Sequence, residues 1–128
     1  MGPTRWDELT TGAFNDWARR DGVAVLTLAA IEQHGPHLPV STDRVIGEGI
    51  VEAASRAAAS DVPLLLLPTL AVGTSPEHQA YAGTLTLDPA TLETTLFDIG
   101  ASVARAGLRR LVIVNSHGGN RAVVDVAA

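Results

Sequence analysis

Three continuous apolar runs, separated by segments with helical periodicity, constrain the fold of this chain more than any other feature. They span residues 23–31, 62–67 and 111–114. A short apolar run bounded by turn residues is typical of a strand that is buried on both faces of a parallel sheet. Because strands and helices alternate along the chain, the sequence predicts an α/β protein. We expect a three-layer α/β/α fold around a mostly parallel sheet.

The segment before the first run is amphipathic. It covers residues 6–20 and contains Thr11, a candidate N-cap for a short helix. That helix carries Phe14 and Trp17, and it ends at Gly22. We therefore expect a first helix that packs aromatic side chains against the sheet.

Two longer helices are expected between the runs. The first covers residues 43–59 and has three possible N-cap residues, Ser41, Thr42 and Asp43. One apolar face at helical spacing would cover the sheet: Val45, Ile46, Ile50, Ala53, Ala54 and Ala57. The second begins at Asp88-Pro89, because proline is favoured at the first helical position. It carries one apolar stripe and stops at Gly107; the stripe is Leu92, Leu96, Ile99 and Val103.

Composition excludes several classes of function. The net charge of −5 argues against nucleic acid or an anionic membrane as the main partner. All nine Lys and Arg residues are arginine, which excludes a Schiff-base lysine, and the chain has no cysteine for thiol chemistry or disulfides. An absence of disulfides fits a cytoplasmic protein. The first twenty residues lack the apolar run of a secretory signal, and 23–31 is too short to span a bilayer.

Carboxylate and imidazole side chains follow the first and third runs. Glu32 and His34 come after the first run at a spacing of two, which places both on one side of an extended segment. Asp43 begins the next helix, and His117 follows the third run. Since parallel strands end at the same edge of a sheet, these residues should converge there, together with the loop 69–83. Oxygen and nitrogen ligands of this kind suit Zn²⁺, Mn²⁺ or Fe²⁺.

Each of these residues also has a simpler interpretation. Asp43 alone could be only a helix N-cap, and His34 only a solvated loop residue. His37 is bracketed by prolines, and we favour a role in orienting a neighbour by hydrogen bonding over a role as a ligand. Glu77 and His78 lie in a long loop, where they line a substrate pocket or a subunit contact, or are simply exposed.

The glycines after the third run allow two further interpretations. Gly118 and Gly119 could cradle a phosphate at a helix N-terminus or form the oxyanion-hole loop of an esterase. The chain contains neither nucleotide-binding fingerprint and no G-x-S-x-G motif. We therefore interpret them as keeping the backbone thin beside a metal so that substrate can approach. With the adjoining Ser116, they join the residues expected to contact substrate or support the ligands.

Four motifs, collinear along the chain, resemble those of the creatininase (creatinine amidohydrolase) family. They are Glu32-Gln33-His34-Gly35-Pro36-His37-Leu38-Pro39; Thr42-Asp43; Ser75-Pro76-Glu77-His78 with Ala82-Gly83-Thr84; and Asn115-Ser116-His117-Gly118-Gly119-Asn120. The first motif is highly specific, and the others corroborate it. The resemblance runs from about Trp6 to the last residue.

The resemblance implies an α/β/α fold with two divalent metal ions, usually zinc or manganese. It also implies hydrolysis of a small amide by an oligomer, often a hexamer, in which a metal-bound hydroxide attacks the amide carbonyl. Matched position by position, the implied metal ligands are Glu32, His34, Asp43 and His117. Asp43 would bridge the two ions.

The sequence departs from the family pattern at several points. Gly119 stands where creatininase itself carries a carboxylate, so the chain is more similar to the broader family. Ser116 replaces a usual glycine and Ala82 a common proline, and neither change should abolish the site. Family members are also longer. Their C-terminal half contains a His-Ala-Gly-x-x-x-Glu motif whose glutamate completes the second metal site.

These observations predict a single creatininase-like domain over residues 1–128, truncated at its C-terminus and equivalent to the N-terminal half of the family. The expected protein is a cytoplasmic homo-oligomer without a nucleic-acid or membrane partner. Its expected activity is metal-dependent hydrolysis of a small cyclic or linear amide. The alternative is a non-catalytic metal- or ligand-binding fragment that lacks the second half of the site.

Overall fold

A four-stranded parallel sheet forms the centre of the fold. The computed structural model describes residues 3–58 and 62–128. Its strands lie in the order β1-β3-β2-β4, and all three strand pairs are parallel. The strands are β1 (Thr4–Arg5), β2 (Val23–Leu28), β3 (Leu64–Leu66) and β4 (Arg110–Asn115). The three predicted apolar runs thus supply β2, β3 and β4.

Helices cover both faces of the sheet, as predicted for an α/β/α fold. They are α1 (Phe14–Arg19), α2 (Thr42–Ala57), α3 (Pro89–Arg105) and α4 (Arg121–Ala127). Single 3₁₀ turns occur at Trp6–Glu8, Thr11–Ala13, Pro76–His78 and Gly118–Asn120. Ala59, the predicted end of the second helix, lies outside the described residues. Within those residues, no helix combines the length and the hydrophobicity that crossing a bilayer requires.

The central strand β2 divides the core into two layers because its side chains alternate between the faces. Ala24, Leu26 and Leu28 are at most 1% exposed and pack on the side of α1, α3 and α4. Val25 packs on the opposite side, where its neighbours include Val51 of α2. Each fully buried leucine contributes roughly 1.5–3 kcal/mol, so β2 is fixed in register with its polar continuation aimed at the sheet edge.

The apolar stripe of α3 packs as predicted. Leu92, Leu96 and Val103 are buried, and Ile99 is partly buried against the same core. The helix begins after Asp88, whose side chain accepts a hydrogen bond from the Ala90 amide at 2.9 Å. It ends before Gly107, which adopts a φ of 91° that favours glycine.

The opening segment differs from the prediction in two respects. Thr4–Arg5 forms the edge strand β1, paired with β3; two residues are too few to produce a periodic signal. Thr11 does not cap a helix, because it lies inside a 3₁₀ turn, and α1 begins without a side-chain cap. Trp17 is nevertheless 7% exposed and belongs to the core, with Phe14 packed against it.

The face of α2 that packs on the sheet is not the predicted one. Its apolar residues point outward: Val45 is 55% exposed, Ile46 51% and Ile50 55%, and Ala53, Ala54 and Ala57 are exposed as well. The buried row is Asp43, Gly47 and Val51. Gly47 lies so close to β4 that a Cβ there would be 2.6 Å from Ser116 Oγ. The prediction was wrong because this close approach and the inward-facing Asp43, not hydrophobicity, set the rotation of the helix.

Candidate metal centre

One edge of the sheet collects the four side chains predicted as metal ligands. Strands β2 and β4 end side by side, with Leu28 opposite Asn115. Glu32 and His34 follow β2, and His117 follows β4. Asp43, in the first turn of α2, faces inward and is 9% exposed. It is therefore not simply an N-cap; the cap position is Ser41, whose side chain makes no capping hydrogen bond.

Three of these side chains converge on one buried point. His117 Nδ1 lies 3.1 Å from Asp43 Oδ2 and 3.3 Å from Glu32 Oε1. Glu32 is 5% exposed and His117 7%. One ligand atom from each of the three residues lies within 4.8 Å of the others. This spacing would allow the three side chains to hold one small cation.

The orientation of the His117 ring is fixed from behind. Its Nε2 lies 3.0 Å from the Thr74 carbonyl oxygen and 3.3 Å from Ser75 Oγ. A carbonyl can only accept, so Nε2 carries the hydrogen. In the neutral imidazole, the lone pair of Nδ1 therefore points at the two carboxylates. This arrangement, in which a backbone carbonyl sets the tautomer of a ligating histidine, is common at metal sites.

Two buried oxygen atoms in this cluster lack partners. Glu32 Oε2 and Asp43 Oδ2 have no hydrogen bond within the described part of the chain. Buried carboxylates so close together are costly unless a positive charge lies between them. Two carboxylates and an imidazole fit Zn²⁺ or Mn²⁺, and oxygen-rich sites of this kind also accept Fe²⁺.

His34 lies on the other side of Asp43. Its Nδ1 donates to the Glu32 backbone carbonyl at 3.1 Å, and its Nε2 faces Asp43 Oδ1 at 3.1 Å. The pKa of His34 is raised, first by the bond to the Glu32 carbonyl and then by the charge of Asp43, while burial opposes the shift. A proton on Nε2 can thus be donated to Asp43, and without that proton the lone pair of Nε2 would be available to a metal ion.

Two asparagines support the His117 loop. Asn120 is fully buried; its Oδ1 accepts from the Thr74 amide at 2.9 Å, and its Nδ2 donates to the Ala29 carbonyl at 2.9 Å. Asn115 donates to the His117 carbonyl at 2.7 Å and accepts from the His117 amide at 3.2 Å. These bonds tie the strand ends of β2 and β4 to the segment that orients the His117 ring.

The small residues around His117 allow close contacts between neighbouring backbone segments. Ser116 Oγ donates to the Asp43 carbonyl at 2.8 Å and so ties β4 to the start of α2. A Cβ on Gly119 would lie 2.4 Å from His117 Nε2 and 2.6 Å from the Thr74 oxygen. Gly119 therefore leaves room for the His117–Thr74 bond. Gly118 is exposed, with nothing near its missing Cβ.

The remaining candidates lie further out. His78 Nε2 is 3.6 Å from Glu32 Oε2 and 3.9 Å from Glu77 Oε1. The Glu77 side chain is 52% exposed. His37 is exposed, and no hydrogen bond or ion pair within the described residues involves its side chain. The structure thus brings His78 to the cluster, leaves Glu77 at the rim and leaves His37 outside it.

Sequence reasoning missed four residues that organise the centre: Gln33, Thr74, Asn115 and Asn120. The two asparagines flank His117 in the motif that carried it, and Gln33 lies between two predicted ligands. Thr74 acts through its carbonyl, which no sequence pattern reports. The available signal was the placement of amide side chains next to candidate ligands, which often need hydrogen-bond partners.

Comparison with known proteins identifies the family. The sequence matches the creatininase family, described as creatinine amidohydrolase, over residues 7–128. The chain belongs to the creatininase family. The resemblance of the sequence motifs is thereby confirmed over nearly the whole chain.

Named creatininase relatives are hydrolases that are longer than this chain. The mycofactocin precursor peptide peptidase of Mycobacterium tuberculosis (strain CDC 1551 / Oshkosh) is 42% identical over 102 residues, covering 75% of this chain and 40% of that protein. The creatinine amidohydrolase of Pseudomonas putida is 34% identical over 105 residues, covering 78% of this chain and 39% of that protein. The chain thus spans about 40% of the length of these relatives.

The creatininase fold is also recognised in solved structures. One, named "Creatininase Mn", superposes with a TM-score of 0.81 at 30% identity. The match covers 98% of this chain and 51% of that one. The predicted α/β/α architecture is thereby confirmed, and the name of that structure associates a creatininase with manganese.

Proposed function

We propose that this chain carries the metal centre of a metal-dependent amide hydrolase. The observation that supports this most strongly is the convergence of His117 Nδ1 with the buried carboxylates of Glu32 and Asp43. Each carboxylate has one oxygen without a hydrogen-bond partner among the described residues. With a neutral His117, none of the three groups has a hydrogen to donate to the others. A divalent cation would give Glu32 Oε1, Asp43 Oδ2 and His117 Nδ1 a shared partner.

Two ion positions follow from the two sides of Asp43. We define the inner position by Glu32 Oε1, Asp43 Oδ2 and His117 Nδ1, and the outer position by Asp43 Oδ1 and His34 Nε2. Asp43 would bridge the two ions, which we propose to be Zn²⁺ or Mn²⁺, with Fe²⁺ as a further possibility. Because the outer position has two ligand atoms from the described residues, solvent or a further protein ligand would complete it.

The proposed reaction is hydrolysis of a small cyclic or linear amide. A bound divalent cation supplies Lewis acidity towards the amide carbonyl. Glu32 and Asp43 would hold that charge in place, and a proton on His34 Nε2 is directed at Asp43. Glu77, at the rim of the cluster, and the exposed His37 are the side chains that we propose to contact substrate. An amide substrate is supported by the relatives, one named for creatinine and the other for a precursor peptide.

We further propose one creatininase-like domain over residues 1–128 that acts in a cytoplasmic homo-oligomer. The exposed apolar row on α2 supports self-association, since large exposed apolar patches commonly mark interfaces. The net charge of −5 supports the absence of a nucleic-acid or anionic-membrane partner. The relatives are longer, so another segment or subunit would complete the outer position.

Hydrolysis by the Mn²⁺-loaded chain tests the proposal. Creatinine and a short peptide amide should be cleaved by the wild type and not by Asp43→Asn, which keeps the side-chain volume but removes the bridging charge. Asp98→Asn, at an exposed aspartate of α3, is the matched control. Tight Mn²⁺ binding without cleavage would contradict the proposed hydrolysis and would leave only a non-catalytic metal-binding domain.

A further inference from the structure

The second carboxylate oxygen of Glu32, Oε2, is not part of the proposed inner position. Oε1 faces His117, whereas Oε2 is buried and has no hydrogen-bond partner within the described residues. Oε2 forms an ion pair with His78, whose Nε2 lies 3.6 Å away. What His78 offers to Glu32 depends on which ring nitrogen of His78 carries the proton.

The side-chain amide of Gln33 determines which ring nitrogen of His78 carries the proton. One end of that amide lies 3.0 Å from the backbone nitrogen of Gly35, which can only donate. This end is therefore the oxygen Oε1, and the other end is Nε2. Nε2 lies 3.0 Å from His78 Nδ1. Because an amide nitrogen donates, Nδ1 of His78 accepts.

The proton of a neutral His78 consequently resides on Nε2, the atom that faces Glu32. A protonated ring nitrogen has no lone pair for a cation. Glu32, Glu77 and His78 do place ligand atoms within 4.8 Å of one another, a spacing that would otherwise suit an additional metal ion. The backbone amide of Gly35 orients the Gln33 side chain, and this orientation makes His78 Nε2 a hydrogen-bond donor to Glu32 instead of a metal ligand.

We propose that His78 is a positioning residue: its Nε2–H, set by Gln33, directs Glu32 Oε2 so that Oε1 stays on the inner position. The expected effect on metal binding rests on the proposed function, whereas the tautomer of His78 can be observed without metal. The 3.6 Å separation is longer than a hydrogen bond, so a small shift of Glu32 on ion binding would complete the contact.

The tautomer is tested on metal-free, ¹⁵N-labelled full-length chain by NMR at about pH 8, where ordinary histidines are neutral. The chain has four histidines, and the His78→Gln spectrum assigns the signals of His78. We expect the Nε2–H form in the wild type and a mixture of both tautomers in Gln33→Leu. Gln79→Leu, at an exposed glutamine of the same loop, should leave the Nε2–H form unchanged. An Nδ1–H form in the wild type would overturn the proposal.

The consequence is tested by calorimetric titration with Mn²⁺. His78→Leu should bind at the inner position roughly 10–100-fold more weakly, the usual effect of removing a partner of a metal ligand. His78→Gln, whose amide can present a donor in place of Nε2–H, should recover most of that loss. Equal losses in both variants would overturn the proposal. So would the loss of one bound ion in His78→Leu, which would make His78 a ligand.

The two proposals fail separately. A wild-type chain that binds no divalent ion would contradict the proposed function. The NMR measurement would still decide whether Gln33 directs the proton of His78 towards Glu32.

Discussion

The proposed inner and outer ion positions differ in how their candidate ligands are held. The His117 side chain is 7% exposed, and the Thr74 carbonyl fixes its ring from behind. The His34 side chain is 23% exposed and lies in a loop, where it bonds to the Glu32 carbonyl and to Asp43. The packed core thus holds the His117 ring of the proposed inner position. The His34 ring of the proposed outer position is more exposed and depends on bonds within its own loop and to Asp43.

Removing His117 should have the largest effect on metal binding. His117→Ala takes away the only nitrogen ligand of the inner position, so Mn²⁺ affinity should fall by more than about 100-fold, beyond the usual effect of an outer partner. Isothermal titration calorimetry measures this fall. An affinity equal to that of the wild type would remove the distinction between the two positions.

Removing the Asn120 side chain, which holds the loop behind the inner position, should lower the stability of the fold. Asn120→Ala leaves the buried Thr74 amide and Ala29 carbonyl without partners, which should lower the free energy of unfolding by about 2–3 kcal/mol. Urea denaturation measures the change, with the exposed Asn15→Ala as the matched control. If both variants unfold at the same midpoint, Asn120 does not hold the loop.

Removing His34 should affect the outer position alone. We expect His34→Ala to lose the outer ion while the inner ion binds within about threefold of the wild type, a difference of well under 1.4 kcal/mol. The titration should show one fewer ion per chain. Equal weakening of both ions would mean that the two positions form a single cooperative unit.

The smallest predicted effect is the pH dependence of the metal-free chain. Because the folded pKa of His34 is raised, its contribution to stability is complete below the unfolded pKa of about 6.5. It is lost as pH rises through the higher, folded pKa. The free energy of unfolding should therefore decline across that window, and His34→Gln should remove the decline. Persistence of the full decline in His34→Gln would assign it to another group.

Metal affinity should change with pH in the opposite direction. An outer ion must displace the proton of His34 Nε2 from Asp43, so its binding should strengthen as pH rises. The inner position, as defined, does not include His34. Titrations at several pH values therefore compare the two positions directly.

Much of the fold was predictable because the decisive signals were local. Val23–Leu28 formed the predicted strand, and Leu92, Leu96 and Val103 formed the predicted buried stripe. Long apolar runs and one-faced helices report burial directly. Strand β1 escaped prediction because two residues carry no period, and it is held only by pairing with β3.

Helix α2 shows why the rest was not predictable. The sequence predicted that Ile46 and Ile50 would face the sheet, yet Gly47 and Asp43 face it instead. The rotation is set by a contact with Ser116 from a distant part of the chain. Local hydrophobicity cannot report such a contact, and the exposed face is now a candidate surface for self-association.

The candidate ligands could be named from the sequence, whereas their support could not. Glu32, His34 and His117 follow predicted strands, so topology alone brought them to one edge. The Thr74 carbonyl and the amide of Gln33 act through hydrogen bonds between segments far apart in sequence. These bonds decide which ring nitrogen is free, and only three-dimensional structure reveals them.

The number of divalent ions bound per chain, in the wild type and in His117→Ala, tests the central claim most directly. Elemental analysis after equilibration with Mn²⁺ or Zn²⁺ and removal of free metal measures it. We predict at least one tightly held ion per wild-type chain and loss of that ion in His117→Ala. A folded wild-type chain without metal, or an unchanged content in the variant, would contradict the account.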